Sequence, residues 1–183
     1  MLQTLIQEIK PLDVTAMDEA KKHQAKLAKP PGSLGKLEDI SVQLAGITGK
    51  VHNSIEKKHL LVFAADNGVV AEGVASAPQS VTLKQAINLT KEKTGAAVLA
   101  AHIGCGITVC DVGINADVKN SDVIDKKIAY GTNNIAKGSA MTKEQAIKAI
   151  ITGVGLAKST DADIIGVGEM GIGNTTTASA VLS

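Results

Sequence analysis

The stretch that decides the fold is Ile164-Ile-Gly-Val-Gly-Glu-Met-Gly-Ile-Gly-Asn-Thr-Thr-Thr177. An apolar run leads into a glycine-rich segment, and asparagine and threonines then open the short helical pattern Ala178–Leu182. A strand, a glycine-rich turn and a helix in this order aim backbone N–H groups and the positive helix end at one point. The stretch therefore predicts an anion-binding turn, in which Glu169 is the only charged side chain. An ordinary glycine-rich turn with a solvated glutamate would show the same pattern.

Two more apolar runs precede this stretch. Leu60–Ala65 is continuously apolar, as expected of a strand covered on both faces, and Ile107–Val112 ends in a glycine. With a third strand at Asp163–Val167, and helices between the strands at about 82–92, 94–103 and 142–159, they predict an α/β fold with a parallel sheet. Residues 115–128 are polar and are predicted to form a loop. Three strands make a thin sheet, so we expect the sheet to be incomplete and the chain to be the N-terminal part of a longer protein.

The first fifty residues predict a small helical unit. Pro11 interrupts the first helix, Asp13 is placed to cap a second, and Ser33 to cap a third. The third helix carries an apolar stripe at steps of three and four: Leu34, Leu37, Ile40, Leu44 and Ile47. A polar segment follows it. We therefore divide the chain into residues 1–50, the helical unit, and residues 51–183, the α/β part.

Two helix starts of the α/β part carry recognisable caps. Thr142 and Gln145 form a capping-box pattern that opens the helix predicted at 142–159, with isoleucines on its core face. Ser80 or Thr82 is placed to cap the helix predicted at 82–92.

Composition excludes several classes of partner. The net charge is +1, all 19 basic residues are lysines, and Phe63 and Tyr130 are the only aromatic residues. The chain thus has neither the charge nor the stacking platforms that nucleic-acid binding uses, nor the charge for an anionic membrane surface. Cys105 and Cys110 fit no zinc spacing and predict buried thiols. With no signal-like or membrane-spanning run, the chain is predicted to be cytoplasmic.

Polar residues follow the first strand at Asp66-Asn67-Gly68. The carboxyl end of a parallel strand is where α/β sheets keep ligand sites, although Asn-Gly is equally common as a simple turn. The apolar loop that follows, to Gln79, is predicted to pack over another part of the protein.

Several segments resemble, in order, the motifs of one enzyme family. They are Lys29–Glu38, Phe63–Val74, Pro78–Gln79 with Val81–Thr82, Asp111–Gly113, Gly131–Thr132 with Asn134, Ala140–Thr142 and Gly168–Thr176. Together they resemble the nicotinate-nucleotide–dimethylbenzimidazole phosphoribosyltransferases, nearly from end to end. The last motif is specific, whereas the turn motifs alone are weak.

The resemblance implies a reaction in cobalamin lower-ligand assembly. Nicotinate mononucleotide would give its ribosyl phosphate to 5,6-dimethylbenzimidazole, forming α-ribazole 5′-phosphate and nicotinate with inversion at the anomeric carbon. It also implies a homodimer, a Rossmann-like domain with a small helical domain, and no metal or other cofactor.

The resemblance also implies site residues. The nucleotide's phosphate and nicotinate would be held by Glu169, Met170, Gly171, Ile172, Gly173, Asn174, Thr175 and Thr176. The benzimidazole would lie against the loop that contains Ser76, Pro78 and Gln79. Asp66 and Asn67 would lie nearby at the strand end.

The chain departs from the family pattern at four positions in three motifs. Asn67 stands where the family usually has histidine, Asn133 where it has arginine, and Ala75 and Ala77 where a serine and an aromatic residue often precede Pro-Gln. The family's general base would lie beyond residue 183, so we expect no turnover from these residues alone, with Glu169 a weak candidate for the base. A non-catalytic nucleotide- or ribazole-binding module, or an interaction domain whose motifs are only turns, remains an alternative.

Overall fold

The computed structural model describes residues 2–119 and 122–183. The chain separates into two compact units, Met1–Ile55 and Glu56–Ser183. The assignment of the second unit to part of a nucleotide-binding domain stays a prediction. In the described ranges, no helix combines the length and the apolar character needed to cross a membrane.

The first unit contains the helices α1 (Leu2–Gln7), α2 (Val14–Gln24) and α3 (Lys36–Thr48). Asp13 caps α2 as predicted, because its carboxylate accepts a hydrogen bond from the backbone N–H of Ala16 at 3.0 Å. Small side chains make the buried contact between α2 and α3: Ala16, Ala20, Val42 and Ala45.

The start of α3 differs from the prediction. Gly35 is the N-cap, with φ of 56°, so Ser33 is not the capping residue. The apolar stripe lies in solvent, with Leu37 63% and Ile47 62% exposed. The buried side is instead the side with small residues, since a β-carbon on Gly46 would lie 2.8 Å from Met17 Cγ. The close approach of α2 and α3 therefore selects for small size, which a search for large apolar residues overlooks.

The second unit is built on a parallel sheet with strand order β3-β2-β1-β4. The strands are β1 (Lys58–Ala65), β2 (Cys105–Gly113), β3 (Val123–Asp125) and β4 (Ile164–Met170). This confirms the α/β class, the parallel sheet and the three predicted strands. The third strand ends later than predicted, because β4 includes Gly168, Glu169 and Met170, which were predicted to lie in the turn. The loop predicted at 115–128 is wrong in part, because β3 lies within it. β3 has three residues, of which only Val123 is buried. A strand this short does not show the alternation of apolar and polar residues that identifies a strand in a sequence.

The helices of the second unit are α4 (Ser80–Thr90), α5 (Gly95–His102), α6 (Lys143–Ser159) and α7 (Asn174–Leu182). The main core lies between α4, α5 and the first three strands: Val62, Ala64, Ala86, Leu89, Ala97, Val109, Ile114 and Val123. The capping box of α6 is present, as predicted. The core face predicted for α6 is only partly buried, because Ile147, Ile151 and Val154 are half-buried and Ile150 is 49% exposed. The cap predicted for α4 is wrong, because the helix begins at Ser80 after Gln79, which makes no side-chain cap.

The parallel sheet fixes where the polar loops meet. In a parallel sheet every strand ends at the same edge, so the segments after β1, β2 and β4 lie side by side. The register places Ala64 opposite Asp111 of β2 and Met170 of β4. The Asp66–Gly68 segment therefore lies between the two loops that follow its neighbours.

Candidate functional site

The turn after β4 approaches the end of β1 so closely that only glycine fits. A β-carbon on Gly171 would overlap the carbonyl oxygen of Ala65 and would lie 2.9 Å from Asn67 Nδ2. Gly173 has φ of 86°, and a β-carbon there would lie 2.8 Å from Val70 Cγ2. The glycines of the turn therefore let it pack closely on the end of the neighbouring strand.

The start of α7 leaves backbone donors free. The N–H of Asn174 donates to the carbonyl of Gly171 at 3.1 Å, and that of Thr177 donates to Gly173 at 3.4 Å. In the described residues no acceptor lies opposite the N–H groups of Thr175 and Thr176. Free N–H groups in the first turn, together with the helix dipole, favour an anionic ligand.

These donors border a cavity of about 260 Å³. One wall is the turn and the first turn of α7, residues 170–176, and the other is the loop segment 74–77. The loop contributes Val74, Ala75, Ser76 and Ala77, so its wall is mostly apolar. The cavity thus sets small apolar side chains opposite backbone donors, which suits a ligand with one anionic and one apolar part.

The predicted site residues do not all reach this cavity. Met170 to Thr176 and Ser76 line it, whereas Pro78 and Gln79 do not. Gln79 instead donates through Nε2 to the backbone carbonyl of Asn67 at 3.0 Å. Glu169 lies exposed beside the cavity, and its Oε2 accepts a hydrogen bond from Nδ2 of Asn174. Glu169 is therefore tied to the first residue of α7.

Asp66 lies deeper than predicted. It is 2% exposed, and its Oδ2 accepts from the backbone N–H of Asn115 at 2.8 Å. Its Oδ1 is buried without a hydrogen-bond partner in the described residues. Asp66 therefore ties the end of β1 to the loop after β2.

An ion pair also supports the loop after β2. Nζ of Lys127 lies 2.6 Å from Oδ2 of Asp111, off the hydrogen-bonding direction, so the attraction is between the charges. The same ammonium donates to the carbonyls of Ile114 at 2.5 Å and Ala116 at 3.1 Å. A second cavity, of about 280 Å³, opens nearby against segment 128–133.

Asn133 lines this second cavity, where the family pattern has arginine. Its neighbour Asn134 donates to the Glu72 carboxylate at 2.6 Å. That hydrogen bond, followed by the charge of Lys137, holds the pKa of Glu72 below its ordinary value. The segment after β1 and the segment near Asn134 are thus joined by a charge-assisted contact.

Comparison with known proteins identifies the family. A family profile described as Phosphoribosyltransferase matches residues 9–183. The chain belongs to this family. It is 47% identical over 186 residues to the nicotinate-nucleotide–dimethylbenzimidazole phosphoribosyltransferase of Clostridium tetani, and 51% identical over 185 residues to the protein of that name from Clostridium perfringens. Each match covers 100% of this chain and 51% of the relative, so the chain spans about half the length of these relatives.

A solved structure shows the same fold. The crystal structure of the phosphoribosyltransferase of the same name from Thermus thermophilus superimposes with a TM-score of 0.89 at 35% identity. The match covers 93% of this chain and 53% of that chain. The expected resemblance to this family is confirmed.

Three threonines support the site and were not predicted as site residues. Oγ1 of Thr82, fully buried, accepts from the backbone N–H of Ile172 at 3.0 Å. Oγ1 of Thr177 donates to Oδ1 of Asn67 at 3.1 Å, and Oγ1 of Thr132 accepts from the N–H of Gly68 at 3.1 Å. Sequence spacing gives no signal for such contacts, because their partners lie 64 to 110 residues apart.

Proposed function

We propose that this chain takes part in phosphoribosyl transfer from nicotinate mononucleotide to 5,6-dimethylbenzimidazole, with α-ribazole 5′-phosphate and nicotinate as products. Membership of the phosphoribosyltransferase family supports the reaction class, and the names of the relatives support the substrates. The chain spans about half the length of each relative. The proposal therefore concerns the activity of the native protein and not of these 183 residues alone.

The observation that carries the proposal is the cavity between the glycine-rich turn and the loop 74–77. The free N–H groups of Thr175 and Thr176 are suited to the anionic part of the nucleotide. The small apolar side chains of the opposite wall are suited to a flat dimethylated ring. Both reactants would then lie in one cavity, which is what group transfer between them requires.

The transfer needs a nucleophile, a leaving group and a proton acceptor. A ring nitrogen of the benzimidazole would attack the anomeric carbon, and nicotinate would leave with the electrons of the broken C–N bond. The proton on the other benzimidazole nitrogen would pass to a general base. We assign that base to no residue of this chain, and Glu169 is the weak candidate because its carboxylate lies beside the cavity.

Four further expectations belong to the same proposal. The protein is expected to work as a homodimer and in the cytoplasm, as the resemblance and the composition imply. Met170 to Thr176, which line the cavity, are expected to contact the nucleotide, and Ser76 the benzimidazole. Asp66, Gln79 and Pro78, which do not line it, are expected to support the loops that do.

The test separates binding from transfer. Binding of nicotinate mononucleotide is measured by titration calorimetry for the 183 residues and for the protein purified from its source cells. Nicotinate release is then followed by chromatography with and without dimethylbenzimidazole. We expect saturable binding by both proteins, and release only from the native protein and only with the base. The variant Gly171→Val should abolish binding, whereas Gly155→Val, at an open position in α6, should preserve it.

Other outcomes would change the proposal. Binding without release by the native protein would favour the non-catalytic binding module. Product formed by the 183 residues, at a rate lost in Glu169→Gln, would make Glu169 the base. No saturable binding by either protein would refute the proposed function.

A further inference from the structure

Asn67 is bonded to three separate segments of the site. Nδ2 of its side chain donates to the carbonyl of Ile172 at 3.1 Å, and Oδ1 accepts from Oγ1 of Thr177 at 3.1 Å. Its backbone carbonyl accepts from Nε2 of Gln79 at 3.0 Å. One residue at the end of β1 thus connects the glycine-rich turn, the first turns of α7 and the start of α4.

The partners fix the orientation of the Asn67 amide. The carbonyl of Ile172 only accepts hydrogen bonds, so the atom that faces it must be the NH₂ group. The oxygen then faces the hydroxyl of Thr177, whose one proton lies between Asn67 Oδ1 at 3.1 Å and the Asn174 carbonyl at 2.9 Å. The position therefore needs a side chain that donates at one atom and accepts at the other.

The hydrogen bond from Asn67 to the Ile172 carbonyl affects which backbone N–H groups at the start of α7 have an acceptor. Ile172 lies four residues before Thr176, so its carbonyl is the acceptor that a longer helix would offer to the Thr176 N–H. That carbonyl instead accepts from Asn67, and no described acceptor takes the Thr176 N–H. On the other side of the residue, the Ile172 N–H is held by Thr82 Oγ1. Ile172 is thus held at both its N–H and its carbonyl.

We infer that Asn67 is a positioning residue, which holds the Ile172 carbonyl so that the Thr175 and Thr176 N–H groups stay turned to the anionic part of the nucleotide. This inference rests on the proposed function for its ligand. Asn67 lies outside the cavity lining, so it acts through the turn and not by touching the ligand. It should therefore affect affinity for the nucleotide and leave affinity for the benzimidazole nearly unchanged.

The test uses the protein as its source cells make it, with nicotinate mononucleotide as the probe. Asn67→Ala removes both side-chain bonds, and we expect the nucleotide Kd and KM to rise about tenfold, as for one lost hydrogen bond of average strength or more. The KM for dimethylbenzimidazole and kcat should change little. Asn67→His should restore most of the affinity, because a neutral imidazole also has one donor and one acceptor.

A matched control is Asn88→Ala, which removes a side-chain bond to Gln85 within α4, away from the cavity lining. It should leave the nucleotide Kd unchanged. Thermal unfolding of each variant separates positioning from general destabilisation. If Asn67→Ala does not fold, Thr177→Val removes the hydroxyl that reaches Asn67 Oδ1 and, with it, the contact of that hydroxyl to the Asn174 carbonyl at 2.9 Å. Thr177→Ser keeps the hydroxyl and is its control. A weaker nucleotide affinity in Thr177→Val, restored in Thr177→Ser, still supports the inference.

The outcomes distinguish the two claims. If the wild-type protein does not bind nicotinate mononucleotide, the proposed function fails. If the wild type binds but Asn67→Ala, or Thr177→Val in its place, binds equally well, the positioning role alone fails. Equal rises in both KM values, with a lower unfolding temperature and no rescue by Asn67→His, would also overturn it, because they would show a merely structural role.

Discussion

Gly171 lies against the end of β1, so close to Ala65 that a β-carbon on it would overlap the Ala65 carbonyl oxygen. The obstacle is backbone, which cannot move aside as a flexible side chain would. The same β-carbon would also press on the Asn67 amide at 2.9 Å. The close packing of the turn on the neighbouring strand therefore depends on the missing side chain at this position.

We expect Gly171→Ala to displace the turn. The overlap should lower the free energy of unfolding by about 1–3 kcal/mol, the usual cost of adding a methyl group to a packed site. It should also weaken binding of nicotinate mononucleotide, because the N–H groups of α7 would move. Chemical denaturation and titration calorimetry measure the two effects.

The matched control is Gly155→Ala. Gly155 lies within α6, and a β-carbon there would meet no atom within 4 Å. Alanine should then raise the free energy of unfolding by about 0.5–1 kcal/mol, since it favours a helix over glycine. Gly171→Ala with unchanged stability and affinity would contradict the close approach of the turn.

The sequence predicted the parts of the fold that depend on neighbouring residues. The apolar runs of β1, β2 and β4, the glycine-rich turn after β4 and the capping box of α6 are all patterns within a few residues. Each gave the correct element, because strand burial, turn geometry and capping are local in the chain. The capping box is an example, since Thr142 and Gln145 lie three residues apart.

Contacts between distant residues were not predictable in the same way. Thr82 was interpreted as a possible helix cap, yet its hydroxyl holds the N–H of Ile172, 90 residues away. The amide of Asn67 binds Ile172 across 105 residues. β3 was missed because a three-residue strand is defined by its pairing with β2 and not by its own pattern. These features arise only when the sheet brings its strand ends together.

The capping box of α6 should contribute measurably to stability. Oγ1 of Thr142 accepts from the N–H of Gln145 at 3.2 Å, and Oε1 of Gln145 accepts from the N–H of Thr142 at 2.8 Å. We expect Thr142→Ala to lower the free energy of unfolding by about 1 kcal/mol. The control Thr152→Ala removes a hydroxyl bonded only to the carbonyl four residues earlier, and should change stability by less than about 0.5 kcal/mol. Equal effects in the two variants would argue against a capping role.

Asp163 should make stability depend on acid pH. Its Oδ2 accepts from the N–H groups of Lys57 and Glu56, each at 2.9 Å, and these bonds hold its pKa below the ordinary value of 3.8. A depressed pKa stabilises the fold above the unfolded-state value, and that stability is lost as pH falls through the folded-state value. We therefore expect Asp163→Asn to be less stable than the wild type at neutral pH, with the difference shrinking below pH 3.8.

The control for Asp163 is Asp161→Asn, two residues earlier. Asp161 pairs with Lys57 through a carboxylate that is 85% exposed and that accepts no N–H from the backbone of residues 2–119 and 122–183. Exposed ion pairs contribute little, so this variant should follow the wild-type stability curve. Denaturation of all three proteins from about pH 2 to about pH 7 makes the comparison. A difference for Asp163→Asn that stays constant across this range would contradict the expectation.

Replacing one partner of the Lys127–Asp111 ion pair should lower the free energy of unfolding strongly. Asp111 is fully buried, its Oδ1 accepts from two backbone N–H groups, and Lys127 supplies the opposite charge at 2.6 Å. Lys127→Met would leave a buried carboxylate without its counter-charge, and should cost about 3–5 kcal/mol. The neighbouring substitution Lys126→Met, at an exposed position, should cost less than about 0.5 kcal/mol.

Removing both charges tests the cause of that cost. In Asp111→Asn with Lys127→Met, no charge is left buried, and replacement of a whole buried pair is often close to neutral. The double variant should therefore be more stable than Lys127→Met alone, as measured by urea denaturation. Asn keeps an oxygen that accepts from the N–H groups of Gly113 and Ile114, but without the negative charge. A double variant less stable than Lys127→Met would therefore show that the charge of Asp111 matters mainly for these two bonds. The loop after β2 would then be held by backbone capping, with the lysine secondary.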